Sequence, residues 1–125
     1  MATATARRVL RDRTRANRTA AAQRRAAAHA ARRIRTAARS LVTHVIATGA
    51  DRATVKGVAA ALRTAAKKAG IKGRRARIRR TFGGAMRHAV TAYRYTREQV
   101  AEIAAQYKPR KAEYKVVRTA LLLAA

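Results

Sequence analysis

Hydrophobic positions in the first 47 residues recur at helical spacing. Ile34, Leu41 and Val45, with alanines between and before them, form a seam whose steps are three, four and seven residues. No Gly or Pro occurs before Gly49, and the Ala and Arg residues that dominate this stretch are strong helix formers. We therefore predict one long helix over about residues 6 to 47.

Large apolar residues become rare in this seam toward the N-terminus. Before Ala20, Val9 and Leu10 are the only ones other than the initial methionine. A segment with so little to bury is expected to fray or to stay disordered until it binds a partner. We accordingly divide the chain into a basic helical arm, residues 1–48, and a compact helical domain, residues 49–125.

Two helices are predicted in the middle of the chain. In the first, Val55, Val58 and Leu62 follow helical spacing. Asp51 or Thr54 is expected to cap its start, because a side-chain oxygen there accepts from free backbone N–H groups. Gly70 is expected to close it.

For the second, Ile78, Phe82, Met86 and Tyr93 belong to a stripe with a basic step of four residues, starting after Arg74. Its interior contains two consecutive glycines at positions 83 and 84. Two glycines cost about 2 kcal/mol in a helix interior, so we expect a kink or a close helix crossing there. No segment alternates cleanly enough between β-branched and polar residues to predict a strand.

The C-terminal segment carries the clearest local signal. Thr96 and Gln99 have the spacing of a capping box, which opens a helix. Pro109 ends that helix, and a last helix is predicted over about residues 110 to 124. The predicted fold class is all-α: a long basic N-terminal helix followed by a small bundle of three to four helices, with no sheet.

Charge then narrows the class of partner. The chain has 31 Lys and Arg against five Asp and Glu, a formal net charge of +26, and such a density favours a polyanionic partner. The charge is uneven: +11 in residues 1–40, +10 in residues 51–80 and +5 in residues 81–125. Arg greatly outnumbers Lys, which suits bidentate phosphate contact and equally suits the codon bias of a GC-rich genome, as in actinobacteria and their phages or plasmids. Both explanations stay open.

Arginines recur every seventh residue along the predicted first helix. They lie about 130° around the helix from the apolar seam, so one face can pack while the other meets an anion. These candidate contact residues are Arg11, Arg18, Arg25, Arg32 and Arg39.

A second cationic cluster, called here the basic patch, has six cations within nine residues and no carboxylate between them. An ordinary solvated face is the alternative, but a run of one sign repels itself and favours anion binding. We predict this patch as the main contact site. Its members are Lys72, Arg74, Arg75, Arg77, Arg79 and Arg80.

Residues 100 to 118 resemble the helix-turn-helix motif of DNA-binding proteins. Ala104 falls at its small position, and Tyr114 and Val117 at later apolar positions. Pro109 departs from the motif, which favours Gly at the turn, and two antiparallel helices of a small bundle are the alternative. As a motif, the segment would direct four cations to phosphates or base edges: Arg110, Lys111, Lys115 and Arg118.

Catalysis has little support in the sequence. The chain has no Cys, its few carboxylates are scattered, and His29, His44 and His88 lack metal-ligand spacing. His44 lies in an apolar stretch and is expected to pack in the core. We therefore expect no enzyme activity, no metal and no cofactor.

The predicted function is nucleic-acid binding, with duplex DNA held through Arg and Lys contacts to phosphate, in an architectural or transcription-regulatory role. Three alternatives stay open: an RNA-binding ribosome-associated protein, an accessory factor of a phage or plasmid, and a cationic helix on a membrane surface. We expect no small-molecule substrate and no transmembrane segment, a cytoplasmic location (on the nucleoid in a bacterium), and oligomerisation, if any, through the seam of Ile34, Leu41 and Val45.

Overall fold

The computed structural model describes residues 3–81 and 87–125. Within them the long N-terminal helix is confirmed, but the prediction of an all-α fold with no sheet is wrong. The elements in chain order are α1 (Ala4–Thr36), α2 (Leu41–Ile46), α3 (Arg52–Ala69), β1 (Arg74–Thr81), β2 (Arg87–Arg94), α4 (Arg97–Gln106) and α5 (Ala112–Leu123).

The segment predicted as a helix after Arg74 forms an antiparallel pair of strands, β1 and β2, instead. Their register places Arg77 opposite Thr91 and Ile78 opposite Val90. Every second residue of a strand shares a face, and the register places Ala76 and Ile78 of β1 on the same face as Val90 and Ala92 of β2. The remaining members of the predicted helical stripe, Phe82 and Met86, and the kink predicted at residues 83–84, lie outside the described residues.

The first predicted helix is interrupted after Thr36 rather than continuing to residue 47. Arg39 and Tyr95 exchange two backbone hydrogen bonds, from Arg39 N to Tyr95 O at 3.0 Å and from Tyr95 N to Arg39 O at 2.7 Å. A backbone paired in this extended fashion cannot also make helical bonds. Ser40 then caps the separate helix α2, where its Oγ accepts from the backbone N–H of Thr43.

One hydrophobic core joins α2, α3, α4 and α5. Its most deeply buried large side chains are Val45, Val58, Leu62, Val100 and Ile103. Since Leu41 and Val45 of the predicted seam lie inside this core, they are not surface that a second copy of the chain could cover. The division into an arm and a compact domain stays a prediction.

Close approach between α3 and α5 depends on Gly57. A Cβ atom at this position would lie 2.9 Å from Cζ of Tyr114, closer than real Cβ contacts come. The absence of a side chain therefore lets the Tyr114 ring pack directly against the α3 backbone.

The local helix signals are confirmed. Asp51 caps α3 by accepting from the backbone N–H of Thr54 at 3.0 Å, and this hydrogen bonding with Thr54 lowers the pKa of its carboxyl group. Gly70 ends α3 with a φ of +70°, a left-handed conformation that suits glycine. Thr96 and Gln99 form both hydrogen bonds of the capping box.

His44 is packed as predicted, with 2 % of its surface exposed. Its Nε2 lies 2.8 Å from the backbone oxygen of Tyr95, and since a carbonyl only accepts, Nε2 donates. The imidazole thus joins α2 to the end of β2. Burial lowers the pKa of His44 from 6.5, which outweighs the opposing effect of its backbone hydrogen bonds.

We expect His44 to make folding sensitive to mild acid. Its pKa is lower in the folded than in the unfolded chain, so the unfolded chain takes up the proton first as the pH falls. The contribution of neutral His44 is complete above pH 6.5 and declines below it. Urea unfolding between pH about 7.5 and 5.5 measures this. His44→Gln should flatten the dependence, while the control at exposed His29, His29→Gln, should keep it; an unchanged slope in His44→Gln would contradict this assignment.

Candidate nucleic-acid interface

The two-stranded hairpin presents one basic face to solvent. Arg75, Arg77 and Arg79 alternate with Ala76 and Ile78 along β1, and the three arginines are exposed while the other two are half-buried. We call the exposed side the outer face of the hairpin. The opposite side borders an open pocket of about 430 Å³ against α2 and α3, lined in part by Leu41, Val42 and Arg63.

The outer face carries positive charge that no carboxylate of the hairpin neutralises. β2 contributes Ala89, Thr91 and Tyr93 opposite the three arginines, and Tyr93 is 52 % exposed. Same-face neighbours on a strand lie about 7 Å apart. Residues 52–97 contain no Asp or Glu, so no carboxylate of the hairpin or its flanks neutralises the guanidinium groups.

The structure divides the basic patch instead of placing it on one surface. Arg74 and Arg80 share the body-facing side of β1 with Ile78 and sit near its two ends. Lys72 precedes the strand, and its backbone oxygen accepts from Nε2 of Gln99 at 3.4 Å. All six cations are exposed, and three of them share the outer face.

The arginines that recur every seventh residue are called here the heptad strip. Four of them lie on the side of α1 that faces away from the rest of the protein. The helix is held to the body where Nε2 of Gln23 donates to the backbone oxygen of Gly49 at 2.8 Å and where Ala30 is buried. Arg25 and Arg32 follow these two residues by two positions, about 200° around the helix. The strip therefore points away from the body and consists of exposed Arg11, Arg18, Arg25 and Arg32.

Arg39 does not continue this strip. It lies beyond the end of α1, its backbone pairs with Tyr95, and its Nε donates to the backbone oxygen of Arg33 at 3.4 Å. The interruption of the predicted long helix has moved it into the connection between α1 and α2.

Helices α4 and α5 form the pair predicted at residues 100–118, but two of the four predicted contact residues have partners within the chain. Arg118 donates from Nε to the backbone oxygen of Ala104 at 2.9 Å and from a terminal nitrogen to that of Ala105 at 3.3 Å, which caps the end of α4. Nζ of Lys111 lies 5.4 Å from the centre of the Tyr114 ring. The helix-turn-helix role stays a prediction, and its exposed cations without such contacts are Arg110 and Lys115.

We also searched the part of the chain that the structure describes for metal sites and for helices that could span a membrane. Over residues 3–81 and 87–125, no three His, Asp or Glu side chains are grouped so that they could hold a metal ion. None of the helices described there combines the length and apolar character needed to cross a membrane.

Comparison of the chain with protein-family models, curated proteins and solved structures finds no match.

The hairpin face is the feature that sequence reasoning missed. The sequence pattern predicts a helix for Thr91 and Tyr93 and a single cluster for the basic patch, and the hairpin changes both. The signals that could have found it are the strict alternation over residues 75–79 and the Gly-Gly pair that follows, which is typical of hairpin connections.

Proposed function

We propose that the protein binds duplex DNA through arginine contacts to phosphate. The observation that carries this proposal is the outer face of the hairpin, where Arg75, Arg77 and Arg79 are exposed side by side within a stretch, residues 52–97, that contains no carboxylate. Guanidinium groups bind phosphate oxygens in bidentate fashion, and a nucleic-acid backbone offers phosphates at regular intervals.

A second surface supports the same function. The strip on α1 has arginines seven residues apart, which corresponds to about 10.5 Å along the helix axis. Residues 3–20 of the chain are exposed throughout, so this part of α1 is accessible to an extended ligand. The five exposed arginines of β1 and the four arginines of the strip are nine candidates, enough to provide about eight contacts to phosphate.

The role that fits this binding mode is architectural or transcription-regulatory, with the protein on DNA in the cytoplasm or nucleoid. Phosphate contacts position a protein on DNA, whereas base contacts specify a sequence. Selection from a random duplex pool followed by sequencing separates the two roles: an enriched sequence indicates a regulator, and no enrichment indicates an architectural protein.

The direct test is fluorescence anisotropy of a labelled duplex at about 50 mM salt, where phosphate contacts are strong. We expect saturable binding by the full chain. The matched control is a variant in which the outer-face arginines are replaced by Gln, and it should bind more weakly. Absence of binding by the unmodified chain would contradict the proposed function.

A further inference from the structure

We infer that the outer face of the hairpin lies in the major groove of B-form DNA. This inference rests on the proposed function and names the part of the duplex that the hairpin contacts. It commits to one occupant of the outer face, and binding to double-stranded RNA becomes an outcome of the test.

The dimensions of the hairpin suit this groove. Its two strands are paired along their length from Arg74 with Arg94 to Thr81 with Arg87, and paired strands lie about 4.8 Å apart. The major groove of B-DNA is about 12 Å wide and admits a two-stranded ribbon with its side chains. The eight residues of β1 extend for about 26 Å, enough to follow the groove across several base pairs.

Side chains on the outer face match what the groove displays. Arg77 lies at the middle of β1, opposite Thr91. Arginine donates to O6 and N7 of guanine, and the hydroxyl and methyl groups of threonine suit base edges and the thymine methyl group. The absence of carboxylates over residues 52–97 removes the repulsion that phosphates at the groove walls would otherwise exert.

The body-facing side of the hairpin supplies the remaining contacts. With the outer face in the groove, Arg74 and Arg80 lie on the opposite side of β1 and are exposed near its two ends, from where their long side chains reach phosphates at the edge of the groove. The half-buried Ile78 and Val90 meanwhile stay toward the helical body. β1 thus carries exposed cations on both of its faces.

RNA geometry supplies the discriminating test. The major groove of an A-form RNA helix is deep and narrow, and side chains cannot read it. A hairpin that requires the groove should therefore bind a DNA duplex more tightly than an RNA duplex of the same sequence at the same salt. Contact with phosphates alone does not require access to the major groove and therefore predicts no such preference for DNA.

The experiment compares affinities of the full chain for the two duplexes by anisotropy. We expect DNA to be favoured by roughly tenfold or more, since a good base contact is worth about this factor. The triple variant Arg75→Gln, Arg77→Gln, Arg79→Gln should bring the DNA-to-RNA ratio close to one. The control with the same reduction of charge on α1, Arg11→Gln, Arg18→Gln, Arg25→Gln, should weaken both complexes and keep the ratio.

A second arm locates the groove. Bulky C5 substituents on the pyrimidines project into the major groove and should weaken binding, whereas a small ligand that fills the minor groove should leave it unchanged. Equal affinity for both duplexes, or preference for RNA, would overturn the groove assignment and leave nucleic-acid binding in place. Failure to bind either duplex would contradict the proposed function itself.

Discussion

Replacing all five arginines of β1 by Gln is expected to weaken duplex binding by roughly a thousandfold at about 100 mM salt. Each phosphate that the protein no longer neutralises keeps close to one counterion that binding would otherwise release, and contacts of the outer face to base edges are lost as well. The variant carries Gln at positions 74, 75, 77, 79 and 80. The five side chains are exposed, so the fold should be retained, which circular dichroism and urea unfolding can check.

The matched control removes five arginines from α1, at positions 11, 13, 15, 18 and 25. It has the same charge as the first variant. Two of these side chains, Arg13 and Arg15, lie outside the heptad strip, so the five cannot face one strand of DNA together. We expect a smaller decrease in affinity than for the β1 variant. Equal decreases would indicate a diffuse electrostatic surface and contradict a defined site on the hairpin.

The largest expected effect on stability comes from Leu62→Ala. Leu62 is fully buried on α3, with 0 % of its surface exposed. Truncating such a side chain removes apolar burial and leaves a cavity, at a cost of about 2–5 kcal/mol. Natural domains are stable by about 5–15 kcal/mol, so the variant should lose a large part of its free energy of unfolding.

Leu123→Ala is the control for this substitution. It makes the same chemical change on α5 at a side chain that is 81 % exposed, and we expect a change of about 0.5 kcal/mol or less. Urea unfolding of both variants at neutral pH measures the difference. Similar unfolding midpoints for the two variants would contradict the assignment of Leu62 to the core.

Features set by local chemistry could be predicted from the sequence. The end of α3 at Gly70 needs only a residue that tolerates positive φ, and the start of α4 needs only Thr96 and Gln99 at the right spacing. The burial of His44 followed from the apolar residues around it. At the two helix ends the deciding interactions lie within a few residues of one another, whereas the hydrogen bond from His44 to Tyr95 could not be predicted in this way.

The hairpin was missed because its spacing fits two structures. The predicted stripe advances in steps of four residues, and an even step also keeps positions on one face of a single strand. Ile78 and Val90 belong to different strands, and their shared face follows from the register that pairs them. Ala76 and Ala92, on the outer sides of this pair in the sequence, share its half-buried face and complete the alternation that distinguishes strands from a helix. Alanine carries too weak a signal to make that visible.

The break between α1 and α2 could not be predicted for a different reason. Arg39 pairs with Tyr95, a residue far along the chain, and nothing near Arg39 reveals this pairing. The candidate site could be predicted only in part for the same reason. The cations were identified from the sequence, but the surface on which each one lies depends on these long-range interactions.

Phosphate neutralisation by arginine is tested by the salt dependence of binding to a labelled duplex. Anisotropy titrations between 50 and 200 mM salt give the slope of log affinity against log salt. About eight phosphate contacts predict a slope near −7 and a decrease in affinity of at least roughly a thousandfold over this range. A slope near zero would contradict binding through phosphate neutralisation.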